Sequence, residues 1–131
     1  MRFSVWNVIL AFSFLLIMGF FISPIAFADE GDANQPKVPF KYAVGYKKYQ
    51  EFCSGCHGKW LDGTKQGPPL VHGFYKPSHH GDAAFYRAAL NGVRAHHWKF
   101  GNMPPVNGVS RKDMDFVVPF IRWFQQAKGL Y

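Results

Sequence analysis

The only two cysteines of this 131-residue chain stand in Cys53-Ser54-Gly55-Cys56-His57. Two thiols two residues apart, with an imidazole directly after the second, suit three chemistries: a redox dithiol, half of a zinc site, or paired thioether bonds to haem. A thioredoxin-like dithiol belongs at a strand-to-helix junction in a βαβ chain, and no parallel-strand pattern occurs here. A structural zinc site needs four ligands, usually from a second Cys or His pair of similar spacing. His79-His80 and His96-His97 are adjacent pairs, and neighbouring residues rarely both reach one metal. Haem attachment through Cys53 and Cys56 fits best, with His57 placed to reach the iron from the anchored side.

A second axial ligand must then come from far along the chain. Met103, in Gly-Asn-Met103-Pro104-Pro105-Val, is the choice. A thioether is soft and neutral and favours ferrous iron. The two prolines stiffen the loop that carries it. A methionine in a Gly/Pro-rich loop also has no periodic core face to serve. His72, His79, His80, His96 and His97 compete, with His96 and His97 the main alternatives, and a bis-histidine haem would have a lower potential.

The elements that must position these residues are helical. Lys41–Phe52 places Tyr42, Tyr46 and Tyr49 at helical intervals, with Val44 and Phe52 adding apolar surface. Gly45 inside it costs about 1 kcal/mol relative to alanine, which implies close packing there. Residues 58–81, rich in Gly, Pro and Lys, have neither period, and a loop of that length is usually functional. A short helix is expected over Asp82–Gly92, capped by Asp82, with Phe85, Ala88 and Ala89 on one face and a stop at Asn91-Gly92. The last helix starts at a Ser110–Asp113 capping box. Phe116, Val117, Phe120, Ile121 and Phe124 mark its apolar face, Pro119 is expected to kink it, and Lys128-Gly129 closes it. Three to four short helices with long loops make a small all-α domain. Its apolar surface is scant, so a large flat cofactor would serve as core and staple together.

Residues 1–28 read as a signal peptide: Arg2, an apolar run over Val8–Ile22, a break at Pro24, and Ala26-Phe27-Ala28 for the peptidase. The alternative is an uncleaved membrane anchor. Residues 29–40, interrupted by Pro36 and Pro39, read as a flexible entry, and 41–130 as the domain. Either way the domain is extracytoplasmic, in the periplasm. The chain carries 15 Lys+Arg against 8 Asp+Glu, and only Arg2 of these lies in the leader. Export and the absence of a basic run argue against nucleic acid. An acidic redox partner, or loose association with a membrane surface, suits the charge better.

From about Lys41 to Leu130 the chain resembles the class I c-type cytochromes, small monohaem electron carriers. The resemblance rests on Gly45-x3-Tyr49-x3-Cys53-x2-Cys56-His57, Gly67-Pro68, Leu70, Met103-Pro104-Pro105 and the aromatic C-terminal helix. It implies one covalent haem c with His57 and Met103 as axial ligands. It also implies that the first and last helices cross with Gly45 against Phe120. The Pro68 carbonyl would accept the proton on the other nitrogen of His57.

The expected function is single-electron transfer by a monomeric carrier, with no acid–base catalysis. Lys59 and other basic residues near the haem edge would steer the partner. A haem enzyme with an open iron position is one rival, and a histidine-rich copper-handling or sensor cytochrome is another. Trp60 and Trp98 read as core aromatics or pocket lining. Arg94 and Lys99 read as solvated surface or as partners for haem propionates.

Overall fold

The computed structural model describes residues 33–131. The expected leader, and the first four residues of the 29–40 segment, lie outside the described residues. No helix among the described residues is long and apolar enough to cross a membrane. A 3-10 turn, Phe40–Tyr42, leads into α1 (Ala43–Phe52), and α2 (Ser54–His57) is a single turn. A second 3-10 turn, Gly73–Tyr75, precedes α3 (Asp82–Asn91) and α4 (Arg111–Ala127). The described residues contain no strand, only an isolated antiparallel bridge between Val93 and Met103. The fold is all-α, as the sequence implies.

The longest helix is set by its own ends. The Ser110 hydroxyl accepts from the Asp113 amide at 3.2 Å, and the Asp113 carboxylate accepts from the Ser110 amide at 2.9 Å. These Ser110 hydrogen bonds, helped by Lys48, hold the Asp113 carboxyl down at about 2. At the other end Gly129, at φ 69°, lets its amide reach the Gln126 carbonyl and the Leu130 amide reach that of Gln125, a Schellman closure. Met114, Val117, Val118, Phe120, Ile121 and Phe124 form the buried stripe. Phe116, expected on that stripe, is 44% exposed. At 100° per residue it falls one step past the edge that Phe120 marks. Pro119 lies on the opposite, exposed face, and the helix continues through it. The Asp115 carbonyl that loses its amide partner belongs to an exposed residue, so water can serve it.

α1 crosses α4 at Gly45. A Cβ there would meet the Phe116 carbonyl oxygen and come within 2.8 Å of Phe120 Cβ. That close approach accounts for a glycine in mid-helix, and the Gly45–Phe120 pairing is as expected. Around the crossing Tyr46 stacks on Trp60 (5.4 Å between centroids), and Trp60 stacks on Phe124 (5.9 Å). Trp60 is therefore a core aromatic. Tyr49 is fully buried and donates its hydroxyl to the Gly58 carbonyl at 2.8 Å, tying α1 to the chain just after His57. Val44, by contrast, is 51% exposed and adds little to the core.

Asp82 does not cap α3. Gly81 occupies the cap position without a side-chain bond, and Asp82 instead accepts from Arg122 Nε at 2.7 Å. The helix does stop where expected, at Asn91, with Gly92 at φ 77°.

Two polar residues in α4 organise the long loop. Arg122 also donates to the Tyr75 carbonyl (2.6 Å) and the His80 carbonyl (2.5 Å). Fully buried Gln125 donates to the Leu70 carbonyl at 2.8 Å and accepts from Arg122 at 2.9 Å. Replacing Arg122 with alanine leaves these carbonyls without their charged donor, whereas the largely exposed Asp82 carboxylate can turn to water. Hydrogen bonds to a charged group are worth about 1.5–3 kcal/mol each, so Arg122→Ala is expected to cost about 2–3 kcal/mol in urea unfolding. A change below ~0.5 kcal/mol would mean that the loop is held by other contacts.

Candidate functional site

α2 is short because it only has to turn two thiols and an imidazole toward one space. Cys53 ends α1, with its amide on the Tyr49 carbonyl at 2.9 Å, and the His57 amide bonds back to the Cys53 carbonyl at 2.9 Å. The following loop folds against this turn. Thr64 Oγ1 donates to the Cys56 carbonyl at 2.7 Å, and the Gly63 amide donates to the His57 carbonyl at 2.7 Å. Gly67 passes so close that a Cβ would stand 2.9 Å from the Cys56 carbonyl oxygen, which leaves room for glycine only.

That approach places Pro68 over the histidine. His57 Nδ1 is 2.9 Å from the Pro68 carbonyl. A carbonyl only accepts, so Nδ1 carries the proton and Nε2 keeps its lone pair. Burial pulls the His57 pKa below its ordinary value, against the opposing effect of the Pro68 bond. The ring is thus neutral at neutral pH, fixed in tautomer, and fit to ligate a metal. Burial, and then the neighbouring Cys56, push the Cys53 thiol up to about 12. A dithiol redox enzyme needs a thiol displaced the other way.

Cys53, Cys56, His57 and Pro68 line one cavity of about 760 Å³, and Met103 lines it too. Leu70, Phe85, Val117 and Ile121 supply much of its apolar wall. Met103 is held by paired backbone bonds with Val93 at 2.8 and 2.9 Å. Of the competing histidines His80, His96 and His97 line the cavity, whereas His72 and His79 do not. Trp98 lines it and donates its indole N–H to Tyr75 at 3.2 Å. Arg87, which the sequence did not single out, and Arg94 are exposed cations on its lining, while Lys59 and Lys99 are not part of it.

A cytochrome c family model matches residues 42–125. The chain belongs to the cytochrome c family. No curated protein and no solved structure matches it. As a cytochrome c domain it binds haem c covalently, and the cavity fits that group by volume and by chemistry. The cavity wall is mostly apolar and opens to solvent on one side, so without a guest of matching size that apolar surface would be exposed to water. A large planar apolar guest removes the problem. Cys53 and Cys56 are the thiols available to bond this cytochrome's haem, and His57 offers a pinned neutral imidazole beside them.

Sequence reasoning missed Arg122 and Gln125, which set the loop forming part of the cavity wall. Part of their signal was present, since Gln125 interrupts the apolar stripe of α4 and Arg122 borders it three residues earlier. The geometry of the adjacent histidines also differs from expectation. His79 and His80 lie in one turn, both amides on the Lys76 carbonyl, and both reach His97.

Proposed function

We propose that this cytochrome c is an extracytoplasmic carrier of single electrons, with its haem iron closed by His57 and Met103. Bound haem supplies the one-electron couple of its iron. The protein's part is to keep both ligands in place in both oxidation states, so that little rearranges during transfer. One observation carries the reading: Met103 shares the cavity with the pinned His57, and its backbone is fixed by the Val93 bridge on one side and by Pro104-Pro105 on the other. The histidines that share the cavity are turned to other partners. Their Nε2 atoms face other histidines, those of His80 and His96 each other at 3.4 Å and that of His97 the Nε2 of His79 at 3.1 Å.

Arg87 and Arg94 are the cations placed to pair with haem propionates. The surplus of 15 basic over 8 acidic residues favours an acidic docking partner and fast, salt-sensitive encounter. The apolar run and the Ala26-Phe27-Ala28 ending support export, with the carrier acting as a monomer in the periplasm or loosely at a membrane surface.

The test is a voltammogram of the haem-loaded protein beside Met103→Ala. The parent is expected to give one reversible one-electron wave and to refuse carbon monoxide when reduced. The variant is expected to bind carbon monoxide, with its potential lower by roughly 0.1–0.3 V, within the ~0.8 V that axial ligands span. Carbon monoxide binding by the parent would favour the enzyme with an open iron position instead.

A further inference from the structure

We propose that His79, His80 and His97 form a second metal site, beside the haem cavity, for a borderline divalent transition ion of the Cu²⁺ and Zn²⁺ class. The ring nitrogens that these three residues offer lie within 4.8 Å of one another. The rings come from two loops, one before α3 and one after it, and folding brings them to centroid separations of 4.8 to 5.2 Å.

The arrangement of protons makes the case. His80 Nδ1 lies 2.6 Å from the Phe74 carbonyl, and His96 Nδ1 lies 2.9 Å from the Arg94 carbonyl. Both carbonyls accept only, so in each neutral ring the hydrogen is on Nδ1 and the lone pair is on Nε2. Those two Nε2 atoms stand 3.4 Å apart. Two lone pairs at that separation repel, and a positive centre between or beside them removes the conflict. His79 Nε2 and His97 Nε2 also face each other, at 3.1 Å, where one ring can donate to the other until a metal ion takes both lone pairs. Two imidazole nitrogens at about 2.0–2.1 Å from one metal, at a tetrahedral angle, stand about 3.3–3.4 Å apart. Within the set the His79–His97 separation of 3.1 Å is already close to that value, and the three nitrogens, all within 4.8 Å of one another, need only a small closure around an ion.

The ligands are also held in advance. Phe74 fixes two of them, stacking on His97 at 4.2 Å and accepting from His80 through its carbonyl. Arg122 holds the His80 carbonyl from the far side. Orienting bonds of this kind raise ligand basicity and remove ordering cost. His96 Nε2, 3.4 Å from His80 Nε2, is a further imidazole donor beside the set. The set is all imidazole with no carboxylate, which selects against Mg²⁺ and Ca²⁺ and for copper, zinc or nickel, with copper tightest.

The experiment titrates Zn²⁺, which is redox-silent, into the ferric haem-loaded full chain by calorimetry, beside His79→Gln and His97→Gln. His79 is exposed, does not line the haem cavity, and is a safe site to change. One equivalent per chain is expected, with a dissociation constant of about 1 μM or tighter. Each substitution is expected to weaken binding at least tenfold, His79→Gln with the haem absorption spectrum unchanged, and Cu²⁺ is expected to displace the Zn²⁺. No saturable binding, or undiminished binding by His79→Gln, would overturn the site. Undiminished binding by His97→Gln would overturn it too. These readouts are separate from the potential and carbon monoxide tests of the electron-carrier reading.

Discussion

Replacing both thiols, as Cys53→Ser with Cys56→Ser, is expected to yield a colourless polypeptide with no added mass and no cooperative thermal transition. The cavity that these residues border is about 760 Å³, and the described core around it is thin: α1 against α4, with α3 on one flank. The guest is therefore part of the core. Losing its covalent tether converts an internal group into one that dissociates, and it returns to the chain the freedom that two bonds had removed. The expected loss is of the order of the whole stability, about 5–15 kcal/mol. Mass spectrometry and circular dichroism read both parts of the prediction. A double variant that melts near the parent temperature would show that the helices hold themselves together.

The second large effect lies at the helix crossing. Gly45→Val is expected to lower the melting temperature of the haem-loaded protein by roughly 10–20 °C. Two effects oppose each other at this position. A side chain removes the helix penalty of glycine, worth about 1 kcal/mol or less for a β-branched residue. Against that stands a clash with the Phe116 carbonyl and with Phe120 Cβ. Both belong to the middle of α4 and cannot swing away as the tip of a long side chain would. Overpacking costs about 1–3 kcal/mol, and a branched residue against backbone belongs at the upper end. A melting temperature within ~3 °C of the parent would mean that the two helices slide apart without loss.

Much of this architecture is legible in the residue order, for identifiable reasons. The capping box at Ser110 and the glycine closure at Gly129 are local signals, and both ends of α4 follow from them. The cysteine pair with His57 is a local signal too. The misjudged positions depend on distant partners. Asp82 reads as a cap until Arg122, forty residues later, takes its carboxylate. Phe116 fits the helical period but lies just outside the stripe, because the seam with α1 runs along its backbone and not its ring. Gln125 looks like a polar interruption, yet it satisfies a carbonyl fifty-five residues away. The histidine cluster is the clearest case. Spacing along the chain argues against adjacent histidines sharing one site, and only the turn at Lys76–His80 and the return of the chain after α3 bring them together.

The far-red absorption of the purified ferric protein tests the central claim most directly. Iron held between the imidazole of His57 and the sulfur of Met103 is expected to show a weak band from sulfur-to-iron charge transfer, and Met103→Ala to abolish it. A low-spin spectrum that lacks this band, or a high-spin spectrum, would contradict the account and place another histidine, or no protein ligand, on the second face of the iron.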